Sequence, residues 1–316
     1  MAGEQYGSWK AFSAAYKAVA RNDQRATADA HLRFAVFDRF LCRVFADQER
    51  SEWLLKGGTG LLARVPDSRA TKDVDLVTTE KELDEAQEAL IEVAQRDLGD
   101  HVEFHFKSSQ PTGGGENQPN VQARQVTFAC SDADNGRWIG DVKVDLAVEQ
   151  APVGTVDISH PRNRLNLPKE LPSHPYRLFP VADQIADKVW ATLQHYSSGR
   201  ASTREKDLVD LLVISQTQEV HLDELRLALE TERVIRGESP VTTFRVPDTW
   251  GVRFSKLARE TPACSEITDV EDAVACVRRL IEPALSTAAE HTGQIWRPGH
   301  GWSPTETCET GETEHG

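Results

Sequence analysis

Several features that would fix the class of a sequence at once are missing here. The five cysteines (Cys42, Cys130, Cys264, Cys276 and Cys308) are scattered, odd in number and form no CxxC pair. That excludes a disulfide framework, gives no zinc site and reads as free thiols in a reducing cytoplasm. No apolar run approaches the roughly 18 residues of a membrane span, so no membrane role is expected. The opening residues, MAGEQYGSWKAF, are polar and do not have the pattern of a secretory signal. Positive charge is short as well: 36 Lys and Arg face 50 Asp and Glu, a formal net charge of −14. A general nucleic-acid binder carries the opposite sign, so such a partner has to be met by a local basic patch. One window qualifies. Residues 160–206 hold eight Lys or Arg against four Asp or Glu, which is also within ordinary charge fluctuation.

What is present suits a folded domain. Hydrophobic residues make up 39% and charged residues 27% of 316, enough for one large domain or two modest ones. No internal repeat is visible. Apolar residues at three- and four-residue steps predict amphipathic helices over 8–20 and 26–46. SEWLLKG reads as a short strand, and GTGLLARV as a helix that Pro66 and Asp67 hold to two turns. KDVDLVT and HVEFHF read as strands on either side of an acidic helix over 80–98. The stretch 107–120, KSSQPTGGGENQPN, has the composition of a loop. VQARQVTFAC and RWIGDVKVDLAVE then form a hairpin about Asp132–Gly136.

Residues 151–180 are proline-rich and extended, and mark a boundary. Helices are expected over 181–196, 202–217, 221–235, 251–260 and 268–288. The expected organisation is N-terminal helices at 1–48 packing on a core domain at 49–150, the linker 151–180, a helical domain at 181–288 and a disordered tail at 289–316. The class is α+β, a small mixed sheet followed by a helical part.

The chemistry sits in WLLKGGTGLLARVPDSRATKDVDLV. Asp73 and Asp75 are two apart on a strand, so their carboxylates project from one face. Burying both unpaired would be expensive, and a divalent cation removes the conflict. Oxygen-only ligands suit magnesium. The competing reading is the wet face of an edge strand. Asp145 changes the balance: in DVKVDLAV it is an isolated carboxylate opposite Val142, Val144, Leu146 and Val148. Three aspartates on one sheet face match two-metal chemistry, the third also placed to take the proton of an attacking hydroxyl.

KGGTG lacks the ending of a Walker A loop, and Pro66 stops the helix that a dinucleotide fingerprint needs. What remains is a turn whose following helix presents its N-terminus to phosphate oxygens. Two pairs of histidine-strand and aspartate-turn residues carry no metal reading. His101 and His105 flank Glu103 on a polar strand face, and Asp132–Gly136 is a hairpin turn rather than a calcium loop.

A glycine turn, then DxD on the next strand, then a lone aspartate resembles the polymerase-β-like nucleotidyltransferases. More narrowly, LLKGGTGLL…RATKDVDL is similar to the AbiEii/AbiGii toxin family, which also carries a helical lysine and a later KD-x-x-D. Lys188, Lys206-Asp207 and Asp210 supply these, and the likeness spans about residues 30–215. It implies a polymerase-β-like catalytic domain using an NTP and Mg²⁺, two ions being expected.

Gly57, Gly58 and Thr59 would contact phosphates, with Arg69, Lys72 and Asp207 at the nucleotide. Asp73, Asp75 and Asp145 would hold metal, and Lys188 would neutralise the triphosphate, with Asp210 as a further catalytic-site residue. On their own residues, Lys188, Asp207 and Asp210 also read as helix-surface charge. Arg69 and Lys72 either line the pocket or pair with acidic neighbours. Arg162, Arg164, Arg200 and Arg204 are the candidate RNA contacts. The likeness implies a toxin that adds a nucleotide to RNA, above all the tRNA acceptor end, and blocks translation, with a cognate antitoxin as partner. Two alternatives remain: a small-molecule or protein acceptor, and a catalytically silent antitoxin-binding protein.

Overall fold

The computed structural model describes residues 5–47, 51–79, 82–113, 122–169, 171–194, 202–286 and 293–305. Helices α1 (Trp9–Ala20) and α2 (Ala28–Val44) start where Ser8 and Thr27 accept hydrogen bonds from the N–H groups of Ala11 and Ala30. After them come β1 (Trp53–Lys56), α3 (Gly57–Arg64), β2 (Val74–Thr78) and α4 (Leu83–Ala94). β3 (Val102–Gly113), β4 (Gln122–Asp132) and β5 (Trp138–Val148) follow, then the short β6 (Asp157–Ser159) and β7 (Tyr176–Leu178). These seven strands form one mixed sheet in the order β3-β4-β5-β2-β1-β7-β6. The C-terminal part holds α5 (Val181–Leu193), α6 (Glu205–Thr217), β8 (Val220–His221), α7 (Leu222–Arg236), α8 (Val252–Arg259) and α9 (Val270–Leu285).

Three expectations change. The loop expected over 107–120 is strand as far as Gly113, because β4 offers a full ladder with Gly113 opposite Gln122. Pro111 is tolerated there because β3 is an edge strand. Residues 114–120 lie outside the described residues. The extended 151–180 segment is not only a linker, since β7 pairs in parallel with β1 at Leu178 and Leu55. The expected disorder of the tail fails over β9 (Gln294–Arg297) and β10 (Gly301–Pro304): β9 pairs with β8 on one side and β10 on the other. Trp296 explains it: the ring is buried, its Nε1 donates to the Ser215 carbonyl, and Trp302 meets it edge-on. Residues 289–292 and 306–316 lie outside the described residues.

One core lies between α1, α2, α4 and the sheet, with Phe40, Leu55, Leu76, Phe128 and Val144 at its centre. A second fills the helical part around Ile185, Leu212, Phe254 and Leu280. Helix α3 belongs to both, giving Leu62 and Ala63 to the first and Leu61, with Val65 just after it, to the second. Among the described residues, no helix is long and apolar enough to cross a membrane. The four described cysteines are free and buried. Asp132 accepts from the Asp134 N–H and Asn135 Nδ2 as the hairpin turn requires. His101 precedes β3 with φ 62° and is not part of the strand that carries His105.

The first core also encloses an ion pair. Arg43 of α2 donates to both oxygens of Asp100 at 2.9 and 2.7 Å, and to the Val102 carbonyl at 2.7 Å. Both side chains are fully buried. Removing one partner leaves the other charge unpaired in the core. Asp100→Ala should therefore lower the unfolding free energy by about 3–5 kcal/mol, measured by urea unfolding.

Candidate active site

Strand β2 lies inside the sheet, antiparallel to β1 and parallel to β5, so its aspartates are not on an edge. The register sets Asp75 opposite Asp145 on β5 and Lys56 on β1. Gln125 of β4 stands opposite Asp145, and Gln110 of β3 opposite Gln125. One polar row thus crosses five strands. Neighbouring strands are about 4.8 Å apart, which puts the Asp75 and Asp145 side chains side by side. Gln110 Nε2 donates to Gln125 Oε1 at 3.3 Å, and Gln125 Nε2 to Asp145 Oδ1 at 2.9 Å. The other face of the same strands carries Val74, Leu76, Val144 and Leu146, all fully buried, which locks the parity.

The glycine turn presses on this row. Gly57 has φ 64°, and a Cβ on it would stand 2.0 Å from Asp75 Oδ2. Glycine is required twice there, by backbone sign and by space. Thr59 Oγ1 donates to the Asp73 carbonyl at 2.6 Å, and Thr71 Oγ1 to Asp73 Oδ1 at 3.0 Å. Gln184 Nε2 holds the Gly57 carbonyl at 2.9 Å. Lys56 precedes α3 and gives it no side-chain cap. The helix therefore turns its N–H groups and positive dipole end toward the carboxylates and whatever anion lies beside them.

The helical part adds a buried charge network. Asp210 on α6 is fully buried and accepts from Arg69 Nε and Nη2 at 2.8 and 2.9 Å, and from Lys188 Nζ at 2.7 Å. Lys188 on α5 also reaches Asp207 at 3.4 Å, and Asp207 meets Arg204 at 3.4 Å. Burial opposes the charge on Asp210, but Lys188 and Arg69 outweigh it and hold its carboxyl below the usual range. Burial likewise opposes the charge on Lys188, and Asp210 and Asp207 outweigh it. The ammonium therefore stays charged, and its field reaches Asp75.

The aspartates of the sheet are unlike Asp210. Burial, then Asp73 and Asp145, push the Asp75 carboxyl up to about 7, against the pull of Lys56 and Lys188. Burial raises Asp145 too, while Gln125, Lys206 and Lys143 act the other way. Among the described residues no three Asp, Glu, His or Cys side chains already converge as a closed ligand set. Like charges on adjoining strands do not close on one another unaided. An oxygen-only cluster with too little positive charge around it fits a hard divalent cation, which Asp73, Asp75 and Asp145 would hold.

The remaining sequence candidates separate. Lys72 is exposed beside Asp73, and Asp207 and Asp210 serve as partners of Lys188. Arg164 is removed from any basic patch: it pairs with Asp38 at 2.7 Å and lies 5.7 Å from the Tyr176 ring centre. Arg162 is exposed, Arg204 pairs with Asp207, and Arg200 lies outside the described residues. Sequence reading passed over Gln125, Gln184 and Lys56. Parity would have placed Gln125 on a polar strand face, and the four-residue step to Lys188 puts Gln184 on the lysine's helix face.

Gly57→Ala should lower nucleotidyl transfer by about 100-fold with folding retained, as measured by label transfer beside thermal unfolding. Asp75 adds a pH signature to the metal-free protein. Its folded pKa lies above its unfolded value near 4, so its stabilising contribution is full below pH ~4. That contribution is lost as pH rises through about 7. In chelator-treated protein, Asp75→Asn should flatten this part of the stability profile, read by urea unfolding at several pH values.

No curated protein matches the chain. Among solved structures it is similar to MenT4, a nucleotidyltransferase toxin from Mycobacterium tuberculosis. The two share 16% identity over 88% of this chain and 90% of that one, with a TM-score of 0.50. JHP933 from Helicobacter pylori matches at 14% identity over 82% of this chain and 94% of that one, with a TM-score of 0.41. At these identities the likeness is one of fold. The family described as "Nucleotidyl transferase AbiEii toxin, Type IV TA system" matches residues 39–275, which hold every side chain of the site. The chain belongs to that family and is a nucleotidyltransferase toxin of the type IV toxin–antitoxin class.

Proposed function

We propose that this protein transfers a nucleotide from an NTP to the 3′ end of an RNA, tRNA above all, and so blocks translation. The observation that carries the reading is the contact of the glycine turn with the carboxylate row. Gly57 lies against Asp75, and Asp75 stands in register with Asp145. A phosphate-binding helix end and an acid pair are thereby parts of one site.

In this reading the N–H groups of Gly57, Gly58 and Thr59 bind the β- and γ-phosphates, and Lys188 neutralises them from the second core. The acceptor hydroxyl oxygen bonds to the α-phosphorus, and the bond from that phosphorus to the bridging oxygen breaks. Pyrophosphate leaves, and the hydroxyl proton passes to Asp145, which Gln125 holds in orientation. Divalent cations, Mg²⁺ by the donor set, would be held by Asp73, Asp75 and Asp145 and would offset charge on the transferring phosphates. Asp210 and Arg69 keep Lys188 in place. The partners are an RNA and, from the family, a cognate antitoxin, and the setting is the cytoplasm.

The test incubates the protein with each labelled NTP, Mg²⁺ and total RNA, beside Asp75→Asn and Asp145→Asn. Label in tRNA that disappears in both variants and with chelator is the expected result. Label confined to protein, or to no macromolecule, would reject the RNA acceptor.

A further inference from the structure

The carboxylate row has two unlike sides. On the β1 side lie the glycine turn, α3 and Lys188, which take the triphosphate. On the other side, beyond Asp145, the same sheet face continues across β4 and β3. An acceptor hydroxyl that gives its proton to Asp145 has to approach from that second side.

The surface there is open and polar. Gln110, Ser108 and Lys143 are exposed, and Gln125 and Thr127 are half-buried. Its far end carries Trp138, which is 63% exposed although it begins a central-sheet strand. Trp138 Nε1 donates to Asp141 Oδ1 at 3.0 Å. Asp141, Lys143 and Asp145 alternate onto one face, so the indole is tethered on the face of the site. From Asp145 to Trp138 the strand covers roughly 23 Å, at about 3.3 Å per residue. In a chain of net charge −14, Lys143 and Lys206 both act on Asp145 as cations.

We propose that the open face of β3, β4 and β5 is the acceptor platform: single-stranded RNA lies along it, with a base stacked on Trp138, a phosphate on Lys143 and its 3′ hydroxyl at Asp145. Fixed aromatic rings, a cation beside the backbone and neutral amide and hydroxyl groups are what sequence-tolerant single-strand binding uses. The tether to Asp141 leaves the indole ring already oriented, which lowers the ordering cost of the stack. The proposal rests on RNA being the acceptor. It moves the RNA surface away from the 160–206 segment, where Arg164 is occupied by Asp38.

The test measures binding of a short fluorescent single-stranded RNA by anisotropy over a salt series, for the full chain, Trp138→Ala, Lys143→Ala and Arg162→Ala. Trp138→Ala should weaken binding by about tenfold, the loss of one base–aromatic stack. Lys143→Ala should flatten the slope of log affinity against log salt by about 0.7, one phosphate contact on a single strand. Arg162→Ala should leave both quantities as they are. Trp138 and Lys143 are exposed, and thermal unfolding checks that each variant folds. If the parent labels RNA but Trp138→Ala and Lys143→Ala bind as the parent does, the platform is wrong and the RNA reading stands. If the parent neither labels nor binds RNA, both fall.

Discussion

Everything at this site follows from two strands that set like charges opposite each other. The parallel pairing of β2 with β5 brings Asp75 to Asp145, and Asp73 stands two positions along. Such a pairing is unfavourable by itself, and two things sustain it. The opposite face of both strands is packed with fully buried valine and leucine, so a one-residue slip would send those side chains to water. On the acid face Lys56 flanks Asp75 in the next strand, and Gln125 donates to Asp145. The core thus holds the carboxylates where their own repulsion would not, which leaves a site whose missing positive charge a substrate complex can supply.

The glycine turn and the buried lysine answer a different problem, which is to join two cores at the site without a long hinge. Helix α3 has one side in each core. The segment after it carries Arg69 across to Asp210, and Lys188 completes the pair. Desolvating three such charges is costly, and hydrophobic replacements often hold a fold as well or better. The network is better understood as a positioning device. It keeps one ammonium charged, with its field reaching Asp75.

Much of this was legible in the sequence where the cause is local. Strand parity put Asp73 and Asp75 on one face and Asp145 on another strand's polar face, and alternation needs only neighbouring residues. Helix limits followed equally from Pro66 and from apolar spacing. The DxD strand also read as an edge strand, and only the sheet order places it inside. The strand in 107–113 was hidden because its residues are loop formers, and a partner strand overrode their propensity. The tail was hidden in the same way: its glycine, proline and glutamate content outweighed two tryptophans whose hydrogen bonds go to helices far away in sequence.

The basic window shows the limit most clearly, because a net charge counted along the chain says nothing about partners in space. Arg164 and Asp38 are 126 positions apart, yet they pair. Asp38 is held well below the ordinary carboxylate range, at about 2, because Arg39 and Arg164 outweigh its burial. An arginine committed to such a pair meets a phosphate only by leaving Asp38 to Arg39 and Tyr176. Lys143 is the opposite case. It lies in a strand whose local sequence is alternately acidic and apolar, so no window singles it out, but the pleat turns it to water beside Asp145. On the RNA-acceptor reading proposed above, cations of the second kind set where the acceptor lies in an acidic chain.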